Sequence, residues 1–219
     1  MRDMEIGRNL LVSLKATAGI PGPIVMIPVG SPPIAFLRPV ATRKDFLNPE
    51  DVRCLTDWRN RFVNSFLTEF NATAERTARW LVEMVGINNG KILFMVDDKD
   101  GRTFGYMGLD YINWEEAYGE ADAIVRGEKA PPGVMKSALQ TLLSWAQGQL
   151  GLRKLGVRVR SDNSALVFYE KVGFREMRRV ALRRTDETGM VRWLEDESIE
   201  EAKLYLVHMV WQGKNNGME

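Results

Sequence analysis

The spacing of apolar positions changes several times along the chain, and each change marks an element. Val52, Leu55, Trp58 and Phe62 recur every three or four residues, as on one helical face. Asn48-Pro49-Glu50-Asp51 ahead of them carries the residues of a helix start: Asn as cap, Pro at the first position, acids in the first turn. A second helix is expected from about Thr73, with Glu75 in its first turn and Gly86 as its stop. KILFMVDD (91–98) and RTFGYMGLDYI (102–112) flank the turn Asp100-Gly101 and read as a hairpin, with EADAIVRG (120–127) as a third strand. Val134, Ala138, Leu142, Trp145, Ala146 and Leu150 then form the longest helical stripe, closed by Gly151. LRKLGVRVRS (152–161) is a strand, and SALVFYEKVGF holds a short helix ending at Gly173. REMRRVALRR (175–184) and AKLYLVHMVW (202–211) are further strands around a polar stretch, 185–201. With the short strand IAFLRPV (34–40), this order predicts a single α/β domain. It would have a central mixed, mostly antiparallel sheet of about seven strands flanked by about four helices.

Six of the nine prolines lie between Pro21 and Pro39, so residues 1–33 are expected to be an extended Pro-rich arm ahead of the domain at 34–211. Residues 212–219 read as a polar tail. The uncharged stretch 16–31 is too short to span a bilayer and is broken by Pro21, Pro23 and Pro28, so a cytoplasmic chain with no membrane partner is expected. Composition adds exclusions. Thirty Lys+Arg against 29 Asp+Glu give a formal charge of +1, which offers no overall field for nucleic acid. One cysteine, Cys54, and one histidine, His208, leave no intrachain disulfide and no His/Cys metal cluster.

Candidate chemistry concentrates in 120–174. Gly133 opens the long helix, where the N–H groups of Val134, Met135, Lys136 and Ser137 and the helix dipole would favour a pyrophosphate. SDNSALVFYEKVGF (161–174) resembles the closing motif of the GCN5-related N-acetyltransferase (GNAT) family, through Asn163, Ala165, Tyr169, Glu170, Lys171, Gly173 and Phe174. The upstream order of strand, Gly-containing turn, long helix and strand fits too. Asp57-Trp58-Arg59-Asn60, Thr73-Ala74-Glu75 and Trp80 resemble members that acetylate amino sugars of sugar nucleotides.

The resemblance implies an enzyme that moves acetyl from acetyl-CoA to a primary amine, with acetyl-CoA as cosubstrate and no metal. Ala123, Ile124 and Val125 would pair with the pantetheine arm, beside a bulge where neighbouring strands part. Gly133 to Ser137 would hold the pyrophosphate. The family's usual phosphate loop begins with Gln or Arg and ends in a small residue. This chain has Ala130-Pro131-Pro132-Gly133-Val134-Met135, so Arg126 or Lys129 would supply the missing charge. Asn163 would bond the pantetheine or set its loop, and Tyr169 would protonate the departing thiolate. Glu120 ranks first as the base that deprotonates the amine and Asp122 second, with Asp110 on the preceding strand, or a water chain to one of these acids, as alternatives. Trp58, Arg59 and Asn60 would border a small-molecule acceptor such as an amino sugar nucleotide. A protein or peptide amine, or a non-catalytic CoA-binding module docking through its arm, are the competing readings. The arm also leaves room for a homodimer in which it packs on a second subunit.

Overall fold

The computed structural model describes residues 2–213, with side chains from Glu5 onward. The chain runs α1 (Arg2–Thr17), β1 (Ile27–Val29), β2 (Ala35–Pro39), α2 (Pro49–Arg61), β3 (Thr68–Glu69), α3 (Ala74–Trp80), β4 (Ile92–Asp97), β5 (Thr103–Asn113), β6 (Tyr118–Arg126), α4 (Val134–Leu150), β7 (Lys154–Arg160), α5 (Ala165–Val172), β8 (Phe174–Glu187), β9 (Met190–Glu195) and β10 (Tyr205–Trp211). The strands form one sheet in the order β1-β2-β4-β5-β6-β7-β10-β8-β9-β3, ten strands rather than about seven. Every printed pairing is antiparallel except β6 with β7. One face buries apolar residues of α1, α4 and α5, and the other those of α2 and the turn after α3. No helix among the described residues is long and apolar enough to cross a membrane.

Four elements escape the sequence pattern, α1, β1 and the paired β3 and β9. The expected extended arm over 1–33 is instead a helix in its first half. Gly7, Leu11, Leu14 and Ala18 recur at four, three and four residues and are all buried. That stripe lays α1 on α4, so closely that a Cβ at Gly7 would lie 2.3 Å from the Leu150 carbonyl oxygen. The prolines shape only the second half, where β1 extends the sheet edge. The remaining two lie together: β9 forms inside the polar stretch 185–201 and pairs with the two-residue β3. Of the expected tail, residues 214–219 lie outside the described residues.

Lys15 ties α1 to the rest of the domain. Its buried ammonium donates to the carbonyls of Val85 (3.1 Å), Gly86 (3.1 Å) and Asn88 (2.6 Å), the open end of the helical segment after α3. Burial pushes its pKa down to about 8 from 10.5. Between those values the unfolded chain binds the proton more than the folded one, so stability rises with pH across that window. A Lys15→Met variant lacks this term. Urea unfolding should therefore show wild type gaining about 1–3 kcal/mol over the variant between pH 8 and 10.5, with a constant difference below. Parallel curves across the window would mean the amine keeps its ordinary pKa.

Candidate active site

The single parallel pair in the sheet is short for strands of this length. β6 and β7 pair only at Tyr118/Lys154, Gly119/Leu155 and Glu120/Gly156. Beyond Glu120 the two strands part, although β6 stays bonded to β5 and β7 to β10. The cause is local. Asp122 opposes Gly108 and Val125 opposes Tyr106, so Ala123 and Ile124 together face Met107 across a bulge, with Ala123 at φ 51°. The edge of β6 carrying Ala123, Ile124 and Val125 is left facing the gap, ready to pair with an inserted chain.

α4 begins at the far end of this edge. Gly133 sits at φ 83°, and a Cβ built there would meet nothing within 4 Å. Of the four N–H groups expected to be free, two are not. Val134 N–H bonds the Pro131 carbonyl at 3.3 Å, and Ser137 N–H bonds the Gly133 carbonyl at 2.9 Å. Met135 and Lys136 keep theirs for a ligand, because a helix leaves its first donors unpaired unless the preceding turn supplies an acceptor. Arg126 and Lys129, with no carboxylate partner among the described residues, line a hollow of about 320 Å³ beside this turn with Phe62, Gly127, Glu128 and Ala130. The positive charge missing from the Gly133 turn is thus available nearby.

Tyr169, on α5, is held by edge-to-face contacts with Phe168 (5.5 Å) and Phe174 (5.8 Å). Its hydroxyl has no hydrogen-bond partner among the described residues, yet the oxygen is not sealed in. The only fully enclosed side-chain polar atom without a partner there is Thr185 Oγ1. Burial, reinforced by the negative charge of Asp122, pushes the Tyr169 pKa up, so the phenol stays protonated near neutral pH and has a proton to give. Asn163 does not point into the gap. Its Oδ1 accepts from Ala165 N–H at 2.9 Å and its Nδ2 donates to the Ser65 carbonyl at 3.3 Å, so it starts α5 and sets the loop.

The two candidate bases differ sharply. Glu120 is buried, and both its oxygens are taken: Tyr118 donates to Oε1 and Arg158 Nε to Oε2, each at 2.7 Å. Asp122 leaves 40% of its side chain exposed and has a single partner, Lys91 Nζ, 3.3 Å from Oδ2. Lys91 also pairs closely with Asp110.

The expected acceptor residues are divided by the fold. Trp58 is buried, stacked on Tyr106 at 6.1 Å, and Gly127 is required against it because a Cβ there would fall 2.0 Å from the indole. Asn60 exchanges two hydrogen bonds with the backbone of Ala72, at 2.7 and 3.0 Å, and pins the turn before α3. Neither is free to meet a ligand, a correction that follows from their packing against β5 and the 66–72 segment. Arg59 is half-buried beside Phe66 and Phe70, close enough to Asp122 to feel its charge. Cys54 is buried and its thiol pKa is pushed up to about 11, chiefly by burial, so it is no nucleophile. His208 lies 3.1 Å from Glu195 across the sheet.

Residues the sequence reading missed are mostly cations. Arg158 and Arg160 alternate with Val157 and Val159, so the pattern placed them on the face opposite the core without showing what they meet. Arg160 is buried and binds Asp162 (2.7 Å), Glu69 (2.7 Å) and the face of Trp193 (4.8 Å), which clamps β3 and β9 onto the end of β7.

The sequence model of the acetyltransferase (GNAT) domain matches residues 37–175. No curated protein sequence matches the chain. Among solved structures, the fold is similar to spermidine N-acetyltransferase from Vibrio cholerae, in complex with CoA and spermine. That match has a TM-score of 0.62 and 18% identity, over 80% of this chain and 94% of that one. A probable GNAT acetyltransferase from Chromobacterium violaceum matches at a TM-score of 0.61 and 15% identity, over 88% and 89%. The parted strands, the open helix start and the family match over more than half of the chain agree: the protein belongs to the GNAT acetyltransferases and is an N-acetyltransferase that uses acetyl-CoA.

Proposed function

We propose that this enzyme acetylates the primary amine of a small molecule, with Asp122 taking the proton from the attacking amine and Tyr169 returning one to the coenzyme sulfur. The observation that carries this reading is the pairing across the gap. An accessible carboxylate with one oxygen unpartnered stands on the bulged strand, and a protonated, unpartnered phenol within reach of its charge stands on α5. Acetyl-CoA supplies the acyl group as a thioester. The free edge of Ala123–Val125 would hold its arm, and Gly133, Met135 and Lys136, with Arg126 and Lys129 nearby, its phosphates. Glu120, ranked first from the sequence, serves instead to hold Arg158 and Tyr118 in place.

A small acceptor is favoured over a protein because the acceptor side is roofed. The β8–β9 hairpin crosses it and pairs with β3, and Arg160 locks that roof to β7. A small-molecule amine is also what the Vibrio cholerae structure holds. The amino sugar reading loses Trp58 and Asn60, which are packed away, and keeps Arg59.

Calorimetry with acetyl-CoA tests the cofactor half. In a Gly133→Asp variant the new side chain points into open space, so the protein contacts survive apart from about 1–2 kcal/mol of left-handed strain. The added charge opposes a phosphate at the helix start, and at least tenfold weaker binding is expected. Equal affinity would place the pyrophosphate elsewhere. Coenzyme A release with small primary amines, but not with peptides, is the expected result for the acceptor half. Faster release with peptides would overturn it.

A further inference from the structure

Two arginines near Asp122 lack the carboxylate partners that the neighbouring cations have among the described residues. Arg158 is paired with Glu120, Arg160 with Glu69 and Asp162, and Lys91 with Asp110 and Asp122. Arg59 and Arg76 have no carboxylate partner among the described residues. Arg59, half-buried, spends one donor on the Thr68 carbonyl at 2.6 Å, and the Arg76 side chain makes no hydrogen bond. Both lie against the Phe70 ring, with their guanidinium carbons 4.4 and 3.6 Å from its centroid, and Arg59 also covers Phe66 at 4.0 Å. Burial, with repulsion from Arg76 beside it, lowers the pKa of Arg59. Buried or crowded cations normally recruit an anion.

We infer that these two guanidiniums form a subsite for an anionic group, a carboxylate or a phosphate, carried by the same molecule that presents its amine to Asp122. The inference rests on the proposed small-amine reading and narrows it. Guanidinium donors match the planar oxygens of carboxylate and phosphate, and most of the donors of this pair are unassigned. The aromatic rings fix the guanidinium planes, so little freedom is lost when the anion arrives. Asp122 and Arg59 are close enough to interact, which lets one zwitterionic molecule meet both. The same pair disfavours an acceptor that carries only positive charge, although the Vibrio cholerae neighbour was solved with spermine.

Matched amines test this. We would measure kcat/KM for O-phosphoethanolamine against ethanolamine, glucosamine 6-phosphate against glucosamine, and γ-aminobutyrate against butylamine, with spermidine alongside. Preference for the anionic member of at least one pair by tenfold or more is expected, expressed mainly in KM, with spermidine among the poorest substrates. Arg76→Gln, on the surface, should lower that preference at least tenfold. Arg59→Gln should do the same, with acetyl-CoA binding by calorimetry confirming that each variant is folded. Equal rates within every pair, preference for spermidine, or a preference untouched in both variants would overturn the inference while leaving small-amine acetylation intact. Acetylation of none of these amines alongside acetylation of peptides would overturn the small-amine reading, and this inference with it.

Discussion

An Asp122→Asn variant is expected to lose about 100- to 10,000-fold in kcat/KM for the amine, the usual range for removing a positioned base, while binding acetyl-CoA as wild type does. The amide keeps the size of the side chain and cannot accept a proton. Lys91 retains Asp110, so no buried cation is orphaned by the change. The rate of the variant should rise with pH as solution supplies neutral amine, and the gap to wild type should narrow. Glu120→Gln is the control. Its carboxylate is already bonded at both oxygens, so its loss should disturb Arg158 and Tyr118 more than the chemistry. A near-normal rate in Asp122→Asn together with an inactive, correctly folded Glu120→Gln would transfer the role to Glu120.

The largest stability effect is expected at Arg38, on β2. Its guanidinium binds both oxygens of Asp51 at 2.9 Å and Oδ2 of Asp97 at 2.5 Å. Asp51 lies in the first turn of α2 and Asp97 ends β4, so one side chain joins three elements. Both carboxylates are buried, and among the described residues Thr103 is the only other side chain that hydrogen-bonds either of them, at Asp97. Arg38→Met would leave two buried negative charges side by side, a change expected to cost about 3–5 kcal/mol in urea unfolding. Adding Asp51→Asn and Asp97→Asn should recover much of the loss, since uncharged amides need no cation. A loss below about 1 kcal/mol in the single variant would mean that water reaches the two carboxylates.

Much of the fold was legible because its signals are local. The Asn48-Pro49 start of α2 is capped as read, with Asn48 accepting from Glu50 N–H at 2.9 Å. Gly133 and Gly151 bound α4 in the left-handed conformation that glycine tolerates. The α1 stripe at Gly7, Leu11, Leu14 and Ala18 is present in the sequence too, directly ahead of the prolines that signal extended chain.

Local signals carried the order of elements from β4 to α5, the glycine start of α4 at Gly133 and the place of Tyr169 near the end of a short helix, because each depends on residues within a turn or two of one another. Tertiary structure alone decided which acid is free. Glu120 and Asp122 are two residues apart on one strand, and only partners from elsewhere separate them: Arg158 lies 38 positions from Glu120, and Lys91 lies 31 from Asp122. It also decided that Trp58 and Asn60 are packed against neighbouring elements, that Glu69 of β3 reaches Arg160 of β7 across 91 positions, and that Arg59 and Arg76 have no carboxylate partner among the described residues. Charge pairing in a folded chain is settled by proximity in space, and no local period records it.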